Sequence, residues 1–426
     1  MEATPNTAQS VTIRLTGCLE STHFIDYASF PREYNYIMQS TPAPLSILLP
    51  VQSVLFDSYL PDPQLRVSVV IPARNESNHL EQALNALRNQ RQQNGAPVPL
   101  STYEVLLLLN NCTDHSVAMV QAYRQRYPDF PLRVAVVSLP PDKANVGTAR
   151  RMLMDAACQR LFQVGRPDGI IASTDADTVV DAYWIDQIRA EIRRGCEVVG
   201  GRILTCPDGK LVRLNHLRDV TYRMLIAQLE ACLDPQPVDP WPRHFQHFGA
   251  SLALTCAAYE RVGGLPNVPH LEDEALYRAL LRTDTPIRKS PQVRVTTSTR
   301  TRGRVDVGFS EQLRYWEALN ETSQCQLVEA PQAIYRRLVN RHRLRTIWQK
   351  RHISQSADGL TRVATDLMVD AYWLRGQLNQ ATYFGQLWEN TENRQATGPW
   401  ASYWQSVPIK AAISELRLLI QSMNAA

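Results

Sequence analysis

Two aspartates one residue apart, Asp175 and Asp177, close the stretch Gly169-Ile170-Ile171-Ala172-Ser173-Thr174-Asp175-Ala176-Asp177. Its first part is apolar and β-branched at strand spacing, so the pair falls where a buried strand ends. That end is the ligand-binding edge of an open α/β sheet. Two hard oxygen donors so close suit Mg²⁺ or Mn²⁺, whose other ligands would be water and substrate phosphates. Aspartate is also common in the turn after a strand, so the pair alone supports both readings. A second acidic group, Glu272-Asp273-Glu274, stands at a helix start. Carboxylates there could act as a general acid or base. As plain helix N-terminal charge they would contribute roughly a few tenths of a kcal/mol per residue.

Three other segments sit where a nucleotide could be read. Pro72-Ala73-Arg74-Asn75-Glu76 and Asn110-Asn111-Cys112-Thr113-Asp114 each follow a buried strand. Polar groups there can meet a base and ribose, or serve as ordinary caps and turns. Lys143-Ala144-Asn145-Val146-Gly147-Thr148-Ala149-Arg150-Arg151 enters a long helix. A helix N-terminus with a nearby glycine and flanking cations suits a diphosphate. Cations there oppose the macrodipole, which favours a functional over a purely structural reading. His244, His247 and His270 show no zinc spacing and are expected to be structural rather than metal ligands. Arg300, Arg302 and Arg304 could close over a diphosphate or line the solvent face of a strand.

The elements that would position these residues alternate. Residues 65–71 form a strand ended by Pro72, and a helix follows with Asn78 as its cap and Glu81 at the capping-box position. Leu80, Ala83, Leu84 and Leu87 give that helix one apolar face. Strands at 103–109, 132–139 and 169–174 alternate with helices carrying Val117 and Val120, and spanning about 146–162. Strand alternating with helix implies a mostly parallel sheet with right-handed crossovers. Beyond it the pattern gives a helix at 183–194, a strand at 196–204, a helix at 210–233 and a proline-rich loop at 234–242. Strands are expected at 247–255 and 288–297, with a helix at 276–282. From about residue 305 strand signals fade, and six of the eight tryptophans (316, 348, 373, 388, 400, 404) lie there. That part reads as helical. Within it, a run of arginines and lysines from Arg336 to Arg351 reads as a solvated helix face, with a helix lying on an anionic membrane as the alternative.

With 426 residues the chain has room for two or three domains. A net charge of +4 gives no bulk-charge argument for a nucleic-acid partner. The eight cysteines form no CxxC pair and read as free thiols of a reducing compartment. No apolar run approaches the ~20 residues of a membrane helix, and Met-Glu-Ala-Thr-Pro-Asn lacks the features of a signal peptide. A cytoplasmic protein is expected, with peripheral membrane contact left open.

Taken together, these segments resemble the inverting family 2 glycosyltransferases of the GT-A fold. The matching text is Val69-Val70-Ile71-Pro72-Ala73-Arg74-Asn75-Glu76, Leu109-Asn110-Asn111-Cys112-Thr113-Asp114, Asn145-x-Gly147-x-Ala149-Arg150 and Asp175-Ala176-Asp177. Gly263-Gly264-Leu265, Glu272-Asp273 and Thr297-Ser298-Thr299-Arg300 with Arg302 and Arg304 follow in order. Each motif alone is weak; their order and spacing are jointly specific over roughly residues 65–305. The resemblance implies a nucleotide-diphosphate sugar donor and Mn²⁺ or Mg²⁺. Pro72, Arg74, Glu76 and Asn110 would line base and ribose, and Arg150 would approach the nucleotide phosphates. Asp175 and Asp177 would meet metal and donor, and Asp273, beside Glu272, would be the catalytic base. Asn110 and Cys112 depart from the aspartate and glycine-serine often found there.

The fold class expected is therefore α/β, a GT-A nucleotide-diphospho-sugar transferase fold with a Rossmann-like mixed sheet and a helical C-terminal region. Residues 1–63 would be an irregular extension, 64–305 the transferase domain and 306–426 the helical region. The rivals are a nucleotidyltransferase and a non-catalytic nucleotide-sugar-binding protein. The first usually wants a glycine-rich phosphate loop where this chain has Pro-Ala-Arg-Asn-Glu. The second is opposed by the intact Asp175, Asp177 and Asp273.

Overall fold

The first strand, β1 (Val67–Ala73), is buried along its whole length and lies between two parallel neighbours. This computed structural model describes residues 55–205, 212–268, 270–298, 309–352 and 357–424. The expected extension at 1–63 thus lies mostly outside the described residues, as do Arg300, Arg302 and Arg304. On one side of β1 runs β2 (Tyr103–Asn110), and beyond it β3 (Leu132–Val137). On the other side runs β4 (Ile170–Ser173). The helices α1 (Leu80–Arg88), α2 (Ser116–Arg126) and α3 (Val146–Gln163) connect these four strands.

The strands are apolar on both faces because both faces are covered. Val69 and Ile71 of β1 pack with Leu107 and Leu109 of β2 against Leu80, Leu84 and Leu87 of α1. Val70, Leu106 and Leu108 face the other way, onto Ala149, Leu153 and Leu161 of α3. Each fully buried leucine contributes roughly 2 kcal/mol. The predicted capping box at Asn78 is not used. The helix starts one residue later with His79 as N-cap and no side-chain cap, and Glu81 instead pairs with Arg126 at 2.9 Å.

After β4 the sheet becomes mixed. The short strand β5 (Thr178–Val180), which the sequence pattern does not reveal, leads to α4 (Trp184–Arg193) and β6 (Val198–Thr205). Helix α5 (Val212–Leu233) is followed by the expected irregular proline-rich loop. Strand β7 (Leu252–Thr255) runs antiparallel to both β4 and β6. Helices α6 (Cys256–Arg261) and α7 (Glu272–Arg282) precede β8 (Ile287–Thr297), which pairs parallel to β6 and antiparallel to β5. The strand order is β3-β2-β1-β4-β7-β6-β8-β5. The expected strand over 247–255 is thus cut to its last four residues, preceded by a 3₁₀ turn at Gly249–Ser251. The reason lies in the site, where the Gly249 peptide has other partners.

The C-terminal region is helical, as the composition suggested. It comprises α8 (Phe309–Glu321), α9 (Pro331–Gln349), α10 (Ala357–Leu367), α11 (Ala371–Gln380), α12 (Phe384–Ala396), α13 (Pro399–Tyr403) and α14 (Ile409–Asn424). The two-residue strands β9 (Leu327–Val328) and β10 (Val407–Pro408) pair beside them. Trp316, Trp388 and Trp400 are buried, which answers why so many tryptophans sit in a polar-looking stretch. Tyr222 and Leu229 of α5 share one apolar cluster with Ile334 and Leu338 of α9 and Leu416 and Ile420 of α14. Arg282 on α7 meets Glu389 on α12 at 2.5 and 2.7 Å. The Asp284 carboxylate accepts from the Phe384 and Gly385 N–H groups at 2.6 and 2.8 Å, at the start of α12. A side chain at Gly385 would collide with the Leu281 carbonyl, so only glycine fits this approach.

The basic run on α9 is more engaged than a solvated face. Arg341 reaches Asp234 at 2.6 Å and Glu230 at 2.5 Å, and Arg345 reaches Asp234 at 3.0 Å. Arg337 pairs with Glu329 at 2.6 Å. Asp234 is fully buried at the end of α5. Burial pushes its carboxyl up, but Arg341 and Arg345 outweigh burial and hold it below its ordinary value. These arginines therefore tether α9 to α5.

Candidate active site

The strand order reverses direction between β1 and β4, because the chain crosses from β3 back over the sheet through α3. A crevice at such a point, beyond the carboxyl ends of the strands, is where open α/β sheets take ligands. Every candidate residue among the described ones comes from a segment that opens onto this edge.

At the end of β1, Pro72 and Ala73 lie in register with Leu108 and Leu109 of β2. The two following loops are laced together. Asn75, at φ 56°, accepts the Thr113 N–H on its side-chain oxygen at 2.7 Å. The Glu76 N–H donates to Ser116 Oγ at 2.8 Å, and the Ser77 N–H to Asp114 Oδ2 at 3.1 Å. Asn110 is buried at the end of β2, and Asn111 exchanges two hydrogen bonds with the Leu139 backbone at 2.9 and 3.0 Å. Glu76 is largely buried and meets His79 at 3.2 Å. Arg74 is exposed and donates to the Ala144 carbonyl at 3.1 Å, so it links the first loop to the entrance of α3. There Asn145 caps the helix, accepting the Thr148 N–H at 2.8 Å. The helix start is packed against the segment before α7: a Cβ on Gly147 would come 2.9 Å from the Val268 carbonyl.

Arg150, one turn into α3, is the centre of the site. Its guanidinium is buried and donates in four directions. Nε meets Glu272 Oε1 at 3.0 Å and Nη2 meets Asp175 Oδ1 at 2.9 Å. Nη1 meets Ser173 Oγ at 2.5 Å and the Gly249 carbonyl at 3.1 Å. Most of its fork is engaged by protein groups, so it acts as a bridge between carboxylates. Burial disfavours its charge, yet Asp175 and Glu272 outweigh burial and raise its affinity for the proton further.

The two aspartates after β4 are held from different sides. Asp175 is desolvated by its surroundings, which pushes its carboxyl up; Arg150 works against this, and Asp177 adds to it. Asp177 accepts the Ser298 hydroxyl on Oδ2 at 2.5 Å, tying the turn to the end of β8. Between them Ala176 is buried, so the two carboxylates and not the intervening side chain face the edge. Thr174, just before them, has a buried Oγ1 with no hydrogen-bond partner among the described residues.

On the far side of Arg150, α7 begins after Leu271, which sits at φ 58°. This left-handed backbone is unusual for a bulky residue and occurs where the surroundings enforce it. Both oxygens of Asp273 accept backbone N–H groups: Oδ1 from Glu274 at 2.9 Å and Oδ2 from Gly249 at 2.8 Å. Burial, then the adjacent Glu272 charge, pushes the Asp273 carboxyl up to about 6, despite the Gly249 hydrogen bond and Arg150. One guanidinium and one peptide thus join the Asp175 carboxylate to Asp273. Glu272 is not placed like Asp273, being buried against Arg150. Two of the three histidines are hydrogen-bonded within the protein, while the buried Nδ1 of His270 has no hydrogen-bond partner among the described residues. His244 is buried between the Ser290 carbonyl and the Gln246 N–H, and His247 meets Glu274 at 2.6 Å.

Ser173 and Gly249 escape sequence reading. Ser173 looks like one more strand residue. Gly249 carries a usable signal only in hindsight: a Cβ there would lie 2.7 Å from the Arg150 guanidinium carbon, so a side chain is excluded. Among the described residues, no helix is long and apolar enough to cross a membrane.

Residues 68–252 match the profile described as "Glycosyl transferase family 2". The chain is similar to a Drosophila melanogaster protein named dolichyl-phosphate beta-glucosyltransferase, at 28% identity over 152 residues. That match covers 36% of this chain and 45% of the relative, so the chain spans under half of the relative's length. Among solved structures, S. aureus TarS 1-349 in complex with UDP is similar at 14% identity and a TM-score of 0.40, over 77% of this chain and 90% of that one. The Pyrobaculum calidifontis mannosyltransferase PcManGT, in complex with GDP-Man and Mn²⁺, is similar at 16% identity and a TM-score of 0.37, over 84% and 82%. The matched stretch runs from β1 to the start of β7, under half of the chain, so over that stretch the chain is similar to the family 2 glycosyltransferases.

Proposed function

We propose that this enzyme transfers a sugar from a nucleotide-diphosphate donor to an acceptor hydroxyl by one in-line displacement, with a divalent cation and inversion at the anomeric carbon. The observation that carries the reading is the Arg150 bridge. It places a donor-side carboxylate, Asp175, and the segment bearing Asp273 against the same buried guanidinium.

Asp175 and Asp177 would hold the cation. They are two hard oxygen donors in one turn; among the described residues no group of three or more histidine, cysteine or acidic side chains is placed to hold a metal ion. Such a pair fits Mg²⁺ or Mn²⁺, which leave several coordination positions to water and phosphate oxygens. When bound, the cation would offset negative charge on the departing diphosphate. Pro72, Arg74, Glu76 and Asn110 would line the base and ribose at the ends of β1 and β2. Arg300 and Arg302 are proposed to meet the diphosphate; both lie outside the described residues. Asp273 would take the acceptor proton, and its raised pKa suits a base that must accept and later release a proton near neutrality. Glu272 would hold Arg150 in place. Residues 64–305 are assigned as the transferase domain and 306–426 as the helical region supporting it, in line with the contacts from α9, α12 and α14 to α5 and α7.

The name of the Drosophila relative supports a second reading of the acceptor, as a lipid-linked phosphate. A phosphate oxygen is already ionised at neutral pH and needs no base, so the acceptor class decides how much depends on Asp273. Peripheral membrane contact belongs to that second reading. The test of the function is a thermal-shift screen of nucleotide sugars with Mn²⁺ or Mg²⁺, since a ligand that binds the native state raises its stability. A cation-dependent rise with at least one nucleotide sugar is expected; no rise with any of them would overturn the reading.

A further inference from the structure

His247 lies two residues before Gly249 and is gripped on two sides. Its Nε2 meets Glu274 Oε2 at 2.6 Å. Its ring stacks on Tyr277, with centroids 3.7 Å apart and planes 11° from parallel. Both partners are on α7. Glu274 is itself buried and fixed by Arg278 at 2.8 Å, and Lys289 Nζ stands 5.0 Å from the centre of the Tyr277 ring. The same two segments supply both backbone donors to Asp273, the Glu274 N–H from α7 and the Gly249 N–H from the other side. Gly249 is also wedged against Arg150 through its carbonyl. Regular strand pairing does not fix the distance of that short irregular segment from α7, because β7 starts only at Leu252. The Arg150 bridge from the Gly249 carbonyl to Glu272 and the His247 contacts to Glu274 and Tyr277 tie it there instead.

We propose that His247 is a positioning residue for Asp273: held by Glu274 and Tyr277, it locks residues 247–249 against α7 so that the Gly249 N–H meets Asp273 Oδ2. This deepens the reading of Asp273 as the base and rests on it. A carboxylate loses its ionised form more readily when a backbone N–H is withdrawn. Loosening the clamp therefore raises the proton affinity of Asp273 and leaves its side chain less well aimed. The other charges facing Asp273 are Glu272 and Arg150, which stay in place when His247 is changed. Glu274, Arg278 and Lys289 surround the clamp itself.

The test needs no substrate. The full chain, free of metal and nucleotide, is labelled with ¹³C at aspartate side-chain carboxyls and titrated by NMR, with Asp273→Asn identifying the Asp273 signal. His247→Gln and Tyr277→Leu are compared with wild type. Tyr277→Leu removes the stack without changing any charge and stands in if His247→Gln does not fold. An upward move of the Asp273 midpoint by about one pH unit in His247→Gln, and a smaller move in the same direction in Tyr277→Leu, is expected. An unmoved midpoint in both variants would overturn the proposal. So would a move in His247→Gln with none in Tyr277→Leu, which would reduce His247 to a nearby charge. Failure of the base assignment is a separate result, read from the turnover of Asp273→Asn.

Discussion

Replacing Arg150 with lysine tests whether a bridge, rather than a charge, organises the site. Arginine presents a rigid fork that reaches Glu272, Asp175, Ser173 and the Gly249 carbonyl at once. A lysine ammonium keeps the charge but donates from a single point, so it cannot span those four acceptors. At least two would lose a donor while remaining in a buried site. A hydrogen bond to a charged group contributes about 1.5–3 kcal/mol. With the charge retained, Arg150→Lys should therefore destabilise the fold by about 2–4 kcal/mol. At roughly 2–4 °C per kcal/mol for a domain of this size, the melting temperature should fall by about 4–16 °C. Urea unfolding with an unchanged slope, together with a thermal melt, measures this. A loss below about 0.5 kcal/mol, the range of ordinary surface substitutions, would refute the bridging role.

Other outcomes follow from the same geometry. Asp177→Ala should abolish cation-dependent binding of a nucleotide diphosphate while keeping a cooperative melt; calorimetry showing unchanged affinity with Mn²⁺ would remove Asp177 from the metal site. Turnover should fall below pH about 6 with a slope near one, because Asp273 must be ionised to accept a proton and its pKa is raised to about 6. The same shift sets the sign for stability: the ionised carboxylate burdens the native state at neutral pH, and that burden is relieved as pH falls from about 6 towards the ordinary carboxylate value. A flat turnover profile down to pH 5 would count against this. Truncation at residue 305 should yield insoluble or dye-binding protein, since α9 and α14 complete the apolar cluster with Tyr222 and Leu229 of α5. A soluble fragment 1–305 with a cooperative melt would show that this packing is dispensable.

What could be read from the sequence was what local physics dictates. The runs at β1, β2 and α3 are long and strongly patterned, and they appear within a residue or two of expectation. Asp175, Asp177 and Asp273 stand out in the sequence because acidic residues at a strand end and a helix start are conspicuous. The failures are all long-range. Strand β5 has only three residues and exists because it pairs with the end of β8. The Asn78 cap lost to tertiary packing, which put the helix start at Leu80 and gave Glu81 to Arg126. Gly249 sits in a run that alternates like a strand, yet its peptide is taken by Asp273, Ser173 and Arg150. The bridging contacts of Arg150 are not visible in one dimension, because the partners that hold it, Asp175 and Glu272, are 25 and 122 residues away. The arginines of α9 looked solvent-facing for the same reason, since Asp234 lies 107 residues from Arg341.

The most direct measurement is glycosyl transfer by Asp273→Asn, with the donor and acceptor first identified on the wild-type enzyme. The amide keeps the shape of the side chain and can still accept the Gly249 N–H, but it cannot take a proton. Donor binding should be nearly unchanged and turnover should drop by about 10²–10⁴-fold, the usual contribution of a general base. Turnover within a few-fold of wild type on a hydroxyl acceptor would contradict the assignment of Asp273 as the base.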